Sequence, residues 1–232
     1  MRVLVASRNK KKLAELNRML EAANVTGIEL VGLGDVPEYP ETPETGATFV
    51  ENARIKTNDG VRQTGLPTIA DDSGLAVDAL NGMPGVLSAR WSGSHGDDKA
   101  NNDLLLAQMD DVPDERRGAH FVSACVLQLP AEVAKARGME TEYAVEGRWY
   151  GRVLRAEQGE GGFGYDPLFA PDELPEELPD ESSGELPNGE AGLAQKLAGK
   201  SAGELSAEQK DAVSHRGKAL RQLVEILAKL AD

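Results

Sequence analysis

The chain has 232 residues, 40% of them hydrophobic, with 39 acidic side chains against 25 basic ones and a net charge of −14. That length supports one large domain or two small lobes with a proper core, and the acidity argues against a general nucleic-acid binder, which needs a basic face. A lone cysteine, Cys125, excludes an internal disulfide and cysteine-based zinc sites. No apolar run approaches bilayer length, and the N-terminal apolar stretch is too short for a signal-peptide core, so a cytoplasmic protein without a membrane partner is expected.

The elements follow in chain order. Arg2 to Ala6 reads as a buried strand, and Ser7 or Asn9 can cap the helix behind it, which carries Leu13, Leu16, Met19 and Leu20 on one face. Ile28 to Leu33 reads as a second strand and Pro37 to Pro43 as a rigid loop. Thr48 and Glu51 form a capping box that starts a helix running to about Gln63. Leu66 to Ala70 is a short apolar strand that ends on two carboxylates, Asp71 and Asp72, followed at once by Ser73 and Gly74. Ala76 to Ala89, punctuated by Gly82, Pro84 and Gly85, reads as loop, Lys99 to Met109 as helix, and Ala119 to Leu129 as strand. Thr141 to Leu154 reads as one or two strands with a possible turn near Gly147, and 159–167 as a glycine-rich loop. Ser206 to Leu230 is helical in two pieces, broken near His215 to Gly217. Strands mixed with helices in N-terminal βα units give an α/β fold.

From Pro171 to Glu190 the chain carries eight acids and no bases, with Pro171, Pro175, Pro179 and Pro187. That composition predicts an exposed excursion, and the segment 171–203 reads as a loop insertion.

The adjacent acids carry the chemistry. Carboxylates at a strand end beside a turn sit where ligands bind in α/β sheets. Two neighbouring acids repel unless a cation holds them or one keeps its proton, and a divalent metal with oxygen ligands, magnesium where phosphate is the substrate, meets that need. The turn Ser7 to Lys12 offers helix-N-terminal amides, hydroxyls and lysines to phosphate oxygens. Phe163 and Tyr165 can stack on a base or pack in the core, Asp166 can accept from ring N–H groups, and Cys125 in its apolar run reads as a packed thiol.

Five motifs in order carry a resemblance. They are Ser7-Arg-Asn9-Lys-Lys-Lys12 ([ST]xNxxK), Glu44 to Thr57 (ETGxTFxENAxxKA with Thr57 in place of the final Ala), and Ala70 to Gly93 (ADDSGL with GxPGxxSARxSG). The last two are Gly161 to Pro167 (GGFGYDP) and Ser214 to Gly217 (SHRG). The set spans nearly the whole chain and resembles the Ham1/inosine-triphosphatase family. The resemblance implies hydrolysis of non-canonical purine nucleoside triphosphates (ITP or dITP, XTP) to the monophosphate and pyrophosphate. It also implies a long, mixed, twisted sheet with flanking helices, two lobes around a central cleft, and a homodimer. Glu44 and Asp72 are implied as ligands of Mg2+, with Asp72 as the catalytic proton acceptor. The implied substrate-binding set is Ser7, Arg8, Asn9, Lys10, Lys11, Lys12, Lys56, Ser73, Phe163, Gly164, Tyr165, Asp166, Lys210, His215 and Arg216, of which Lys10 and Lys11 lie outside the motif positions. Lys12, Lys56 and Ser73 stabilise developing phosphate charge in this scheme, while His215 and Arg216 offer donors to a 6-oxo group that adenine lacks. Asp71 has two open readings: a metal ligand through water, or a structural acid hydrogen-bonded to backbone amides. A Maf-like pyrophosphatase acting on pyrimidine or modified nucleotides, and a nucleotide binder without catalysis, are the alternatives.

Overall fold

The computed structural model describes residues 1–173 and 199–231; the side chains of Lys10, Lys11 and Ala207 are outside that description. The elements are β1 (Arg2–Val5), α1 (Lys10–Ala22), β2 (Glu29–Gly32), α2 (Phe49–Thr64), β3 (Thr68–Val77), α3 (Asp98–Gln108), β4 (Gly118–Gln128), α4 (Ala131–Arg137), β5 (Glu142–Val153), β6 (Phe169–Pro171), α5 (Ala207–Val213) and α6 (His215–Ala231). The strands form one sheet in the order β2-β1-β3-β4-β5-β6. It is mixed: β1 runs parallel to β2 and β3, and β5 antiparallel to β6. Parallel neighbours need crossover connections, which α1 and α2 supply.

The described residues divide into two compact units, Met1–Gly74 with Val122–Arg148 and His215–Asp232, and Leu75–Phe121 with Trp149–Ser214. The first has a core of Val3 and Val5 from β1, Leu16 and Leu20 from α1, Cys125 and Leu127 from β4, and Leu220, Leu223, Leu227 and Leu230 from α6. The periodicity of α6 is thus spent on burial, at about 1.5–3 kcal/mol for each fully buried leucine. The second unit packs Leu75, Leu105, Met109, Trp149, Tyr165 and Phe169, with the Phe169 ring centroid 4.8 Å from Phe121 and 5.4 Å from Trp149. Among the described residues no helix is long and apolar enough to cross a membrane.

Several expected elements shift. The third strand does not stop at the acids: β3 runs ten residues, with Asp71 and Asp72 in its middle and buried positions on both sides. Val77 therefore belongs to a strand, and the stretch behind it holds two 3-10 turns, Asp78–Leu80 and Gly85–Arg90. β5 is continuous through Gly147. Glycine is required there because a Cβ would collide with the His215 carbonyl and, at 2.7 Å, the Ala219 nitrogen. α4 was not anticipated, nor was β6, which takes up Pro171. The C-terminal helices break at Ser214, one residue earlier than expected. Of the acidic excursion, 174–198 lie outside the described residues; Ala202–Glu204 is a 3-10 turn.

Candidate active site

Register places the first cluster. Val5 pairs with Ile69 across parallel strands, so the chain leaving β1 turns into α1 alongside Asp71. Ser7 Oγ accepts the Asn9 amide at 3.2 Å within that turn. Lys12, in the first turn of α1, reaches Asp71 Oδ2 at 2.6 Å. Arg216 at the start of α6 donates to the same oxygen at 2.6 Å and to Glu15 at 2.5 Å. Burial opposes ionisation of Asp71, but Lys12 and Arg216 outweigh it and hold the carboxyl well below the usual carboxylate range. Asp71 is thus a buried carboxylate paired with two side-chain cations.

Successive strand residues point to opposite faces, and Asp72 meets a different set. Its Oδ1 lies 3.1 Å from Lys56 Nζ, and its Oδ2 accepts the Asn52 amide at 3.1 Å. Lys56 also reaches Glu44 at 3.0 Å. Burial pushes the Asp72 carboxyl upward; Lys56 and Asn52 pull against it, and Glu44 adds to the rise. Burial works against the charge on Lys56, yet Asp72 and Glu44 keep its pKa above the ordinary lysine value.

α2 fixes this geometry. Asn52, Lys56 and Asp59 fall on one helical stripe, and the loop before the helix runs back along it. Asp59 accepts the Thr42 amide, Lys56 pairs with Glu44, and Asn52 accepts the Gly46 amide at 2.8 Å. Gly46 is obligatory, since a Cβ would lie 2.6 Å from the Glu51 Cβ and 2.8 Å from Asn52 Oδ1. The Thr48–Glu51 capping box is present as expected. Ser73 Oγ lies 3.0 Å from Ser123 Oγ and 3.5 Å from Asp71 Oδ2.

The second unit carries the glycine loop. Phe163 is 67% exposed, with Lys210 Nζ 5.7 Å from its ring centroid. Asp166 is buried; its Oδ2 accepts from Lys210 at 2.6 Å and from the Phe163 amide at 2.8 Å. Tyr165 is buried in the core and its phenol donates to the Ser88 carbonyl at 2.9 Å.

The sequence model of the Ham1 family matches residues 3–226. The chain belongs to the Ham1 family. A protein of Corynebacterium jeikeium named dITP/XTP pyrophosphatase is 87% identical over 232 residues, covering all of both chains. One of Nocardia farcinica with the same name is 59% identical, covering all of this chain and 97% of that one. Among solved structures, the nucleoside-triphosphatase / dITP/XTP pyrophosphatase of Mycobacterium abscessus aligns with a TM-score of 0.72 at 56% identity, covering 98% of this chain and 100% of that one. The Staphylococcus aureus Ham1 protein aligns at 0.75 and 31%, covering 98% of each.

Within this Ham1 chain the motif residues separate by unit. Ser7, Asn9, Lys12, Glu44, Lys56, Asp72, Ser73, His215 and Arg216 belong to the first, and Phe163, Gly164, Tyr165, Asp166 and Lys210 to the second. Arg8 stands at the surface, paired with Glu41. Two roles change. Arg216 spends Nε and Nη1 on Glu15 and Asp71, so it is an ion-pair anchor before it is a donor to a base. Tyr165 is a core aromatic, which leaves Phe163 as the exposed ring of the loop. Asp59, Asp98 and Asn102 were not singled out. Asn102 precedes the buried Leu105 and Met109 by three and seven residues, so a polar residue on the apolar stripe of α3 was the available signal.

Proposed function

We propose that this protein hydrolyses dITP, ITP and XTP to the monophosphate and pyrophosphate, removing deaminated purines from the nucleotide pool. The observation that carries the reading is the convergence of Glu44 and Asp72 on Lys56, 3.0 and 3.1 Å away. It is joined by full-length likeness to proteins named dITP/XTP pyrophosphatase.

Among the described residues no group of three or more His, Cys, Asp or Glu side chains is placed to hold a metal ion. Two carboxylates with oxygen donors only still suit Mg2+, which completes its shell with waters and substrate phosphates. Glu44 and Asp72 would hold it, and when bound it supplies positive charge to the phosphate oxygens. The protein groups do the rest. Asp72 takes a proton from the attacking water, whose oxygen bonds to the α-phosphorus as the bond to the β-bridging oxygen breaks and pyrophosphate leaves. Lys12, Lys56 and Ser73 meet the charge that builds on the phosphates, by positioning and electrostatics rather than covalent chemistry. Phe163 stacks on the purine, and Asp166, fixed by Lys210, reads its edge. Homodimerisation and a cytoplasmic location complete the reading and rest on the family likeness alone.

The test is pyrophosphate release from dITP, XTP, ATP, GTP and dUTP with magnesium, for wild type and Asp72→Asn. Release from dITP and XTP, abolished by the substitution and by chelator, is expected. Orthophosphate release, preference for dUTP or an unimpaired variant would overturn the reading.

A further inference from the structure

Asp98 and Asn102 stand one turn apart at the start of α3, on the same face of the helix. Asp98 Oδ2 accepts the Gly164 amide at 2.8 Å, and Asn102 Nδ2 donates to the Gly164 carbonyl at 3.2 Å. Both polar groups of one loop residue are thus taken by one face of one helix. Asn102 also donates to Glu157 Oε1 at 3.0 Å, ahead of the glycines. Gly164 has φ +60°, a left-handed conformation natural to glycine.

The residue before this clamped glycine is Phe163, the most exposed large apolar side chain among the described residues. Its ring is largely exposed, with Lys210 Nζ 5.7 Å from its centroid, so the backbone that carries it fixes where the ring is anchored and which rotamers reach the ligand. That backbone is pinned on one side by Asp166, which takes the Phe163 amide, and on the other by the grip on Gly164. We propose that Asp98 and Asn102 are positioning residues for base recognition: by holding the Gly164 peptide they aim the Phe163 ring at the purine. The inference rests on the reading of 161–166 as the base-binding loop. It gives α3, which carries no motif residue, a part in substrate affinity.

A merely structural clamp would alter stability without separating substrate binding from turnover. The experiment therefore compares wild type, Phe163→Ala, Asp98→Ala, Asp98→Asn and Asn102→Ala in steady-state dITP hydrolysis. Inorganic tripolyphosphate serves as a competitor lacking a base, and thermal unfolding is followed in parallel. Asp98→Ala and Asn102→Ala are expected to raise KM for dITP about tenfold with kcat changed less than about threefold, the mark of lost uniform binding. Tripolyphosphate inhibition stays as in wild type. Asp98→Asn keeps an acceptor for the Gly164 amide and retains a near-wild-type KM. If Phe163→Ala raises KM while Asp98→Ala and Asn102→Ala do not, the clamp proposal is wrong and the base-loop reading survives. If Phe163→Ala leaves KM unchanged, the base-loop reading falls and takes the proposal with it. Asp98→Asn as damaging as Asp98→Ala would also overturn the clamp, since it would make charge rather than acceptance the operative property. Should Asn102→Ala fail to fold, the two variants at the exposed Asp98 decide the matter.

Discussion

Asp59 binds Thr42 twice, accepting its backbone amide at 2.7 Å and its hydroxyl at 3.0 Å. Thr42 is two residues ahead of Glu44, so this carboxylate anchors the loop that delivers the other acid. Replacing Asp59 with alanine should cost about 1–3 kcal/mol in urea unfolding, for two lost hydrogen bonds at about 0.5–1.5 kcal/mol each. If Glu44 holds magnesium, the midpoint of a magnesium titration of pyrophosphate release should rise about 10- to 100-fold, as for other residues that orient metal ligands. Activity should return at high magnesium. An unshifted midpoint would detach Asp59 from the site.

Asn52 joins the same loop to the opposite acid, accepting from Gly46 and donating to Asp72. Asn52→Asp keeps the shape and the acceptor but sets a carboxylate against Asp72. Like charges raise both pKa values, so the unfolded chain releases protons more readily than the folded one. Stability lost to this repulsion should be greatest at neutral pH and should recover as pH falls below about 5, near ordinary carboxylate values. Denaturant midpoints at pH 7 and pH 4.5 check it; a deficit independent of pH would refute it.

Asp71 behaves in the opposite sense. Its folded pKa is depressed, so it contributes stability above the unfolded carboxylate pKa, and that contribution is lost as pH falls toward the folded value. Asp71→Asn should cost about 3–5 kcal/mol at pH 7, because Lys12 and Arg216 lose their buried partner. The gap from wild type should narrow below about pH 4. Chemical denaturation across pH 3 to 8 measures both arms.

Tyr165→Phe removes only the hydroxyl that donates to the Ser88 carbonyl. The expected loss is about 1–2 kcal/mol of stability, with KM for dITP unchanged. A raised KM without loss of stability would restore Tyr165 to the binding surface.

The sequence made the βα units, the Thr48–Glu51 capping box and the motif order plain, because each is a local signal. β3 was cut short because two acids interrupt its apolar run. Their partners explain the continuation, but Lys12 lies 59 residues from Asp71 and Arg216 lies 145. α4 has only seven residues, yet Pro130 before it and Gly138 at φ +62° behind it frame it legibly in hindsight. Tyr165 and Phe163 share a loop and a chemistry, and only packing separates the buried ring from the exposed one. Lys56 was legible from its motif, but Asp59 on the same stripe was overlooked because a polar helix face ordinarily means solvent, whereas here it lies along a loop of the same chain.

Two cations, Lys12 and Arg216, crowd one oxygen of Asp71, each at 2.6 Å. Lys12, its side chain 23% exposed, has already shed most of its hydration to reach that carboxylate. A lysine drawn from bulk water would have to dehydrate at the moment a phosphate arrived. In the proposed reaction Lys12 would only change anions, moving from Asp71 to the phosphate while Arg216 stays behind. Anion capture at the α1 turn would then be a partner swap in which the lysine side of the new pair has already lost most of its water.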